Sequence, residues 1–280
     1  MTGECRENDW MKLLEGKKAV VLGASSGIGW AISERFAEHG ADVIVAARRL
    51  ENLEKLAGQI GATPVRCDGR DYDDLKALAD TAMEKWGRVD VAVNSAGVVR
   101  GALIKDITPE DLHAVADIQY FGFIYFMKHF GNAIAASGGG SLINITSTTA
   151  ISIPTRLTPY SAAKAAINFA TKIAAREFGP DQVRVNAVAP TFVPTAMNNY
   201  GGGTPIDEAR VEIPDDNPTA AGFIEQTPLG RITTVDDCAD VTLVVASDLF
   251  GDITGQVIPV DGGNHLLRLP ETRRAATQES

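Results

Sequence analysis

The chain has 280 residues, and its 26 Lys and Arg against 36 Asp and Glu give a formal net charge of −10 at pH 7. This balance argues against a nucleic-acid footprint, and no apolar stretch reaches the length that a membrane span needs. The charged residues 1–7 do not resemble a secretory signal, and Cys5, Cys67 and Cys238 lack metal-ligand spacing, so we expect no metal site and a reduced, cytoplasmic location.

Strand-like and helical segments alternate along the chain. Short apolar runs predict strands over 18–22, 42–46, 64–67, 89–94, 141–146, 183–188 and 256–260. Helical periodicity predicts helices over 28–38, 50–59, 72–86, 111–136 and 159–178. Because this alternation implies parallel strands covered by helices on both faces, we predict an α/β fold, a doubly wound, Rossmann-like parallel sheet with three α/β/α layers in a single domain.

A glycine-rich turn follows the first predicted strand. It reads Gly23, Ala24, Ser25, Ser26, Gly27, Ile28, Gly29. Glycines let the backbone bend sharply and approach a ligand, and the helix that follows aims unpaired N–H groups at phosphate. The spacing suits the pyrophosphate of a dinucleotide; the alternative is a tight strand-to-helix turn without a ligand.

A phenol and an ammonium lie four residues apart, at Tyr160 and Lys164. This spacing places both side chains on one face of a helix. A nearby cation favours the phenolate and lowers the pKa of the phenol, which makes such a pair suitable for proton transfer at neutral pH. The alternative is an ordinary solvated pair on a helix surface.

These two motifs, taken with several others, resemble the short-chain dehydrogenase/reductase family in its single-domain form, from Lys17 to His265. Asn94-Ser95-Ala96-Gly97 matches a turn of the family, and Ser147 precedes Tyr160 by the customary interval. The resemblance implies a nicotinamide dinucleotide held by Gly23, Ser25, Ser26, Gly27, Ile28, Gly29, Arg48, Arg49, Asp68, Asn94, Ala96, Gly97, Tyr160, Lys164, Pro190, Val193 and Thr195.

The resemblance also implies an activity, hydride transfer between the cofactor and a ketone or secondary alcohol. Tyr160 is then the general acid and base, Ser147 hydrogen-bonds the reacting oxygen, and Lys164 lowers the pKa of Tyr160 and binds the nicotinamide ribose. Gln119 replaces the Asn that usually completes the site, so it is included with the catalytic residues but brings the proton relay into question. The alternatives are an NAD-dependent alcohol dehydrogenase working oxidatively and a non-catalytic, cofactor-sensing relative.

The end of the second predicted strand bears on the choice of cofactor. An acidic residue there usually favours NAD, because it binds the ribose diol and repels a 2′-phosphate. Here Ala47 takes that place and Arg48 and Arg49 follow, which favours NADP(H) over NAD(H). A solvated basic turn before the next helix is the alternative.

The sequence divides into three segments. Residues 1–16 form an N-terminal extension, 17–265 the oxidoreductase domain, and 266–280 a tail that either frays or crosses a subunit interface. Within the domain, the irregular stretch 191–226 is interpreted as a substrate lid or as a passive surface insertion, and its apolar residues weakly suggest an uncharged small-molecule substrate. Family relatives associate through the helix that carries Tyr160, so we expect a homo-oligomer, a dimer or tetramer; packing of that helix within its own subunit would give the same sequence pattern.

Overall fold

The computed structural model describes residues 12–198, 211 and 217–266. Most of the predicted N-terminal extension, the tail after residue 266 and the greater part of the predicted lid lie outside the described residues. Where the lid is described, residues 218–226 form a helix, although the sequence pattern had indicated an irregular segment.

Seven parallel strands form one sheet in the described part of the chain. They are β1 Lys18–Leu22, β2 Asp42–Ala47, β3 Thr63–Arg66, β4 Val91–Asn94, β5 Gly140–Ile145, β6 Val183–Pro190 and β7 Val257–Val260. Their order is β3-β2-β1-β4-β5-β6-β7, and in the central register Val20 lies between Ile44 and Ala92. The predicted strands are therefore present, with ends that differ by one or two residues.

Helices cover both faces of this sheet. They are α1 Gly27–Glu38, α2 Leu50–Ile60, α3 Tyr72–Trp86, α4 Pro109–Ala116, α5 Gly122–Ala136, α6 Thr158–Phe178, α7 Pro218–Gln226 and α8 Val235–Ala246. The single helix predicted over 111–136 is wrong in detail, because a π-helical turn, Asp117–Phe121, separates α4 from α5. The prediction also lacked α7 and α8.

The central strands bury both of their faces, whereas the edge strands β3 and β7 are only partly buried. Along β1, Ala19 and Val21 belong to the core under α1, α2 and α8, whereas Val20 and Leu22 belong to the core under α3, α5 and α6. This alternation follows from the two-residue period of a strand, and burial on both faces explains why the central strands are largely apolar. The predicted doubly wound, three-layer α/β fold is confirmed.

The strand order reverses direction at β1. The chain first builds outward through β2 and β3, then returns to place β4 against the other side of β1. Loops leaving the carboxyl ends of β1 and β4 therefore diverge to opposite faces and leave a crevice between them, which is where such sheets bind ligands.

Candidate active site

The glycine turn after β1 packs against the turn after β4. Gly23 has a φ of +88°, and a Cβ at this position would lie 2.6 Å from the carbonyl carbon of Ser95 and from the nitrogen of Ala96. A Cβ at Gly29 would lie 2.4 Å from the carbonyl oxygen of Gly23. A side chain at either position is therefore excluded, and these glycines let the backbone segments of the two turns pack closely.

The same turn contacts the loop after β6. A Cβ at Gly27, whose φ is +58°, would lie 3.1 Å from Cγ2 of Thr195. Pro190, the last residue of β6, and Val193 are buried between β6 and this contact. The structure thus brings together the loops after β1, β4 and β6, each of which carries predicted cofactor residues.

Helix α1 begins without a side-chain cap. Its N-cap residue Ser26 makes no capping hydrogen bond, and its hydroxyl oxygen accepts from Nη2 of Arg49 at 2.9 Å. The Ser25 hydroxyl also accepts from Arg49, at 3.0 Å. The first amides of α1 remain available to a phosphate, and Arg49 adds positive charge beside them.

Arg48 and Arg49 differ in position. Arg48 is exposed, whereas Arg49 folds over the glycine turn. Asn52 of α2, which the sequence had not singled out, donates from Nδ2 to the carbonyl oxygen of Ser25 at 3.1 Å. The sequence signal that could have identified Asn52 is an amide side chain one helical turn after Arg49.

The predicted adenine-side residues lie after β3 and β4. The carboxylate of Asp68 pairs with Arg70 at 2.5 Å, and this hydrogen bond holds the pKa of Asp68 below its usual value. Asn94 is buried and its Oδ1 accepts from the backbone N–H of Ala96 at 3.1 Å, which shapes the turn that meets Gly23. A cavity of about 380 Å³ opens beside them, lined by Asp68, Arg70, Asp71, Asp117, Phe121 and Tyr125.

Ser147 and Tyr160 lie close enough for their side chains to interact. Ser147 follows β5 and is buried, and its oxygen also accepts from the Thr149 N–H at 3.2 Å. Burial raises the pKa of Tyr160, and the hydrogen bond with Ser147 lowers it by a smaller amount. The two residues predicted to act on one substrate oxygen are therefore adjacent.

Lys164 lies one turn further along α6 and is buried, with 4% of its surface exposed. Its Nζ donates to the carbonyl oxygen of Ile145 at 2.8 Å and lies 5.8 Å from the ring centroid of Tyr160. Burial lowers the pKa of Lys164 to about 7. A desolvated lysine carries less charge at neutral pH, so its expected lowering of the Tyr160 pKa stays a prediction.

Gln119 occupies the π-helical turn and is fully buried. Its Nε2 donates to the carbonyl oxygen of Val98, and its Oε1 has no hydrogen-bond partner among the described residues. A Cβ at Gly97 would lie 3.4 Å from this Oε1. The side chain thus links the π-helical turn to the loop after β4.

These residues fit a nicotinamide dinucleotide. Side chains at Gly23 and Gly29 would clash with backbone, the α1 amides face the turn, and Ser147, Tyr160 and Lys164 lie at the carboxyl end of β5. Within residues 12–198, 211 and 217–266, no group of three or more His, Cys, Asp and Glu is placed to hold a metal ion. None of the helices in these ranges is both long and apolar enough to cross a membrane.

Comparison with known proteins agrees with this site. A family model described as enoyl-(acyl carrier protein) reductase matches residues 23–265. The 3-oxoacyl-[acyl-carrier-protein] reductase of Thermotoga maritima is 34% identical over 89% of this chain and 98% of its own length. The chain belongs to the short-chain dehydrogenase/reductase family and is an NAD(P)-dependent oxidoreductase of that family.

Two solved structures with different cofactors resemble it. The gluconate 5-dehydrogenase of Burkholderia cenocepacia, solved with NADP and tartrate, has a TM-score of 0.82 and 26% identity, covering 92% of this chain and 98% of its own. A 7α-hydroxysteroid dehydrogenase solved with NADH and 7-oxo glycochenodeoxycholic acid has a TM-score of 0.80 and 28% identity, covering 92% and 98%. The family therefore includes users of both cofactors.

Proposed function

We propose that this protein transfers a hydride between NADP(H) and a ketone or secondary alcohol, with Tyr160 as general acid and base. The observation that carries the proposal is the contact of Tyr160 with Ser147 beside buried Lys164, at the edge of the sheet that holds the glycine turn. The bound nicotinamide supplies or accepts the hydride.

The chain's own residues manage the proton and the charge on oxygen. In reduction, Tyr160 gives its proton to the substrate oxygen as that oxygen becomes an alkoxide, and the Ser147 hydroxyl donates a hydrogen bond to the same atom. In oxidation, Tyr160 takes the alcohol proton back. Ser147 and Lys164 are buried beside Tyr160, and the low dielectric of such a site strengthens the interactions of these groups with the reacting oxygen.

The preference for NADP(H) is supported by Arg49. Its guanidinium reaches both serines of the glycine turn, and Ala47 leaves no carboxylate at the end of β2 to repel a 2′-phosphate. We infer that Arg49 rather than exposed Arg48 makes the main phosphate contact. NAD-dependent oxidation of an alcohol is the alternative if Arg49 does not discriminate.

One observation favours a non-catalytic relative. The Gln119 amide is engaged with Val98 and offers its remaining oxygen to the buried interior, so it does not directly reproduce the shorter Asn. A complete Ser147, Tyr160 and Lys164 set favours catalysis, and we retain catalysis as the proposed function.

Turnover of a ketone panel with NADPH, followed by loss of nicotinamide absorbance, tests the activity. We expect Tyr160→Phe to lower kcat about 10²–10⁴-fold, the usual contribution of a positioned acid, and Tyr72→Phe at the surface to leave it unchanged. Full turnover by Tyr160→Phe would contradict the mechanism, and absence of both turnover and nucleotide binding would contradict the function.

The cofactor assignment is tested by Arg49→Ala. The KM for NADPH is expected to rise about tenfold or more while that for NADH changes little, because only NADPH carries the phosphate. Arg176→Ala, which removes an exposed arginine near the end of α6, is the control. Equal effects on both cofactors would show that Arg49 does not read the phosphate.

We also propose that the protein associates with copies of itself and works in the cytoplasm. Helix α6 exposes Phe169 and Ile173 one turn apart, which supports association through this helix. Cys67 and Cys238 are free, buried thiols, which suits a reducing compartment.

A further inference from the structure

Two arginines at the carboxyl edge of the sheet differ from most of the others. Arg100 and Arg156 are exposed, and neither makes an ion pair or hydrogen bond with another described residue. By contrast, Arg35, Arg70, Arg88 and Arg231 all pair with carboxylates. In a chain with a formal charge of −10, two unpaired cations at one edge form a local positive region.

The loops that carry these arginines touch each other. A Cβ at Gly101 would lie 2.7 Å from the carbonyl oxygen of Arg156 and 3.4 Å from Cδ2 of Leu157. Gly101 therefore lets the loop after β4 lie against the loop between Ser147 and α6. Arg100 is adjacent to that contact in sequence, and Arg156 is part of it.

This contact lies near the proposed reaction centre. Arg156 precedes Tyr160 by four residues, a separation that spans at most about 14 Å even when fully extended. It also lies on the segment that connects Ser147 to Tyr160. A substrate whose reacting oxygen meets both hydroxyls therefore has these loops within about 14 Å of that oxygen's partner Tyr160.

The backbone of Arg156 is in a conformation that its side chain disfavours. Its φ is +65°, and the described residues contain only one other non-glycine residue with positive φ, Gln182. Strain of this kind is often kept where it places a side chain for function. With the exposed guanidinium, it indicates that the loop presents Arg156 rather than merely turning there.

We propose that Arg100 and Arg156 bind the carboxylate of the substrate, so that the enzyme acts on oxo acids and the corresponding hydroxy acids. The inference rests on the proposed oxidoreductase function and names the substrate class for that site. The planar guanidinium matches a carboxylate in geometry as well as charge, and a local positive region offsets the general repulsion of an anion by this acidic chain. It replaces the expectation of an uncharged substrate, which depended on residues 191–226, largely outside the described part.

The test compares each oxo acid, which carries a carboxylate, with its uncharged methyl ester. A series from 2-oxo to 5-oxo acids and the methyl esters of the same acids is assayed with NADPH on the wild type, Arg100→Ala, Arg156→Ala and Arg156→Lys. We expect the best acid to exceed its ester about tenfold or more in kcat/KM, through KM, and each alanine variant to lose about tenfold on the acid alone. Arg156→Lys retains the charge and is expected to recover part of the preference.

A control variant and a binding measurement accompany the kinetic assay. Arg176→Ala removes an exposed arginine at the far end of α6 and is expected to keep the acid preference. Calorimetry of the same acids with the NADP⁺-loaded protein detects carboxylate binding without turnover. Binding that is lost in Arg156→Ala supports the proposal even for an acid that the enzyme does not reduce.

Several outcomes would overturn it. These are esters turned over as well as the acids, an acid preference unchanged in both alanine variants, or no acid bound or reduced while esters are reduced. The last result leaves hydride transfer standing and removes only the carboxylate site. Failure of every ketone together with failure to bind nucleotide would instead reject the proposed function.

Discussion

The buried ammonium of Lys164 couples folding to pH. Its pKa is about 7 in the folded protein because burial disfavours the charged form, whereas an unperturbed lysine has a pKa of 10.5. Between these values the unfolded chain binds more protons than the folded one, so this residue makes stability rise as pH increases from about 7 to about 10.5. Below pH 7 the cost of burying the charge is fully present.

Replacement of Lys164 by methionine removes that cost. We expect Lys164→Met to raise the free energy of unfolding, and to raise it on the order of 2 kcal/mol more at pH 6.5 than at pH 9, because one pKa unit corresponds to about 1.4 kcal/mol. Urea denaturation at both pH values measures the difference. Lys172→Met, on the exposed face of the same helix, is the control and is expected to show no such pH dependence; an equal change at both pH values for Lys164→Met would contradict the burial argument.

Individual site residues were predictable to different extents. The four-residue spacing of Tyr160 and Lys164 was enough to place them on one helix face, but nothing local showed that α6 buries Lys164 against Phe123, whose ring centroid lies 4.7 Å from Nζ. The choice between Arg48 and Arg49 was equally inaccessible. It depends on which guanidinium reaches back across the β1–β2 edge, and that is a property of tertiary packing.

Among the elements, α5 approaches the loop after β3 through glycine. A Cβ at Gly122, the first residue of α5, would lie 2.1 Å from the carbonyl oxygen of Gly69. The π-helical turn ends immediately before this contact, so the widened backbone and the close approach occur together. Gln119 lies within this turn, three residues before Gly122.

We expect Gly122→Ala to destabilise the protein by about 1–3 kcal/mol, because the added methyl forces α5 away from Gly69. Gly58→Ala is the matched comparison. Gly58 lies exposed within α2 with nothing within 4 Å of its Cβ position. The Gly58→Ala substitution is therefore expected to stabilise the protein by about 0.5–1 kcal/mol. Chemical denaturation measures the change in the free energy of unfolding for both variants, which we expect to have opposite signs. An unchanged free energy for Gly122→Ala would contradict the prediction, because it would mean that α5 moves away from Gly69 without loss of stability.

Prediction of the helices and strands succeeded where the hydrophobic periodicity agreed with the residues that begin or end each segment. The seven strands and the helices from α1 to α3 followed from apolar runs, glycines and helical periodicity. Helix α8 was missed because Val235, Val241 and Val244 are β-branched residues that favour strands, and only packing against α1 makes the segment helical. Its capping box, Thr234 with Asp237, was the local signal that would have identified it.

For the whole molecule, the apolar surface of α6 is the main sign of assembly. Phe169 is 66% exposed and Ile173 46%, on the side of the helix away from buried Ile167 and Thr171. Exposed Leu112 of α4 and Phe121 of the π-helical turn lie in the same helical layer. A lone chain would leave these side chains in water, which a second copy would prevent.

We expect Phe169→Glu to dissociate the homo-oligomer into smaller oligomers or monomers, because it places a charge in the proposed apolar contact between α6 helices. Sedimentation velocity at micromolar concentration measures the species present. Leu249→Glu alters a residue that is similarly exposed, at 64%, beside α8 on the opposite side of the sheet, and is expected to keep the wild-type distribution. A wild type that sediments only as a monomer would remove the assembly proposal.

The engagement of the Ser26 hydroxyl by Arg49 has a consequence for the lifetime of the polypeptide. Since α1 starts without a side-chain cap, we expect a bound nucleotide to supply hydrogen-bond acceptors there, and a ligand at one hundred times its Kd adds about 2.7 kcal/mol to the free energy of unfolding. Chains that lack nucleotide open more often and meet proteases more often. The abundance of this enzyme in a cell is therefore expected to follow the supply of its coenzyme.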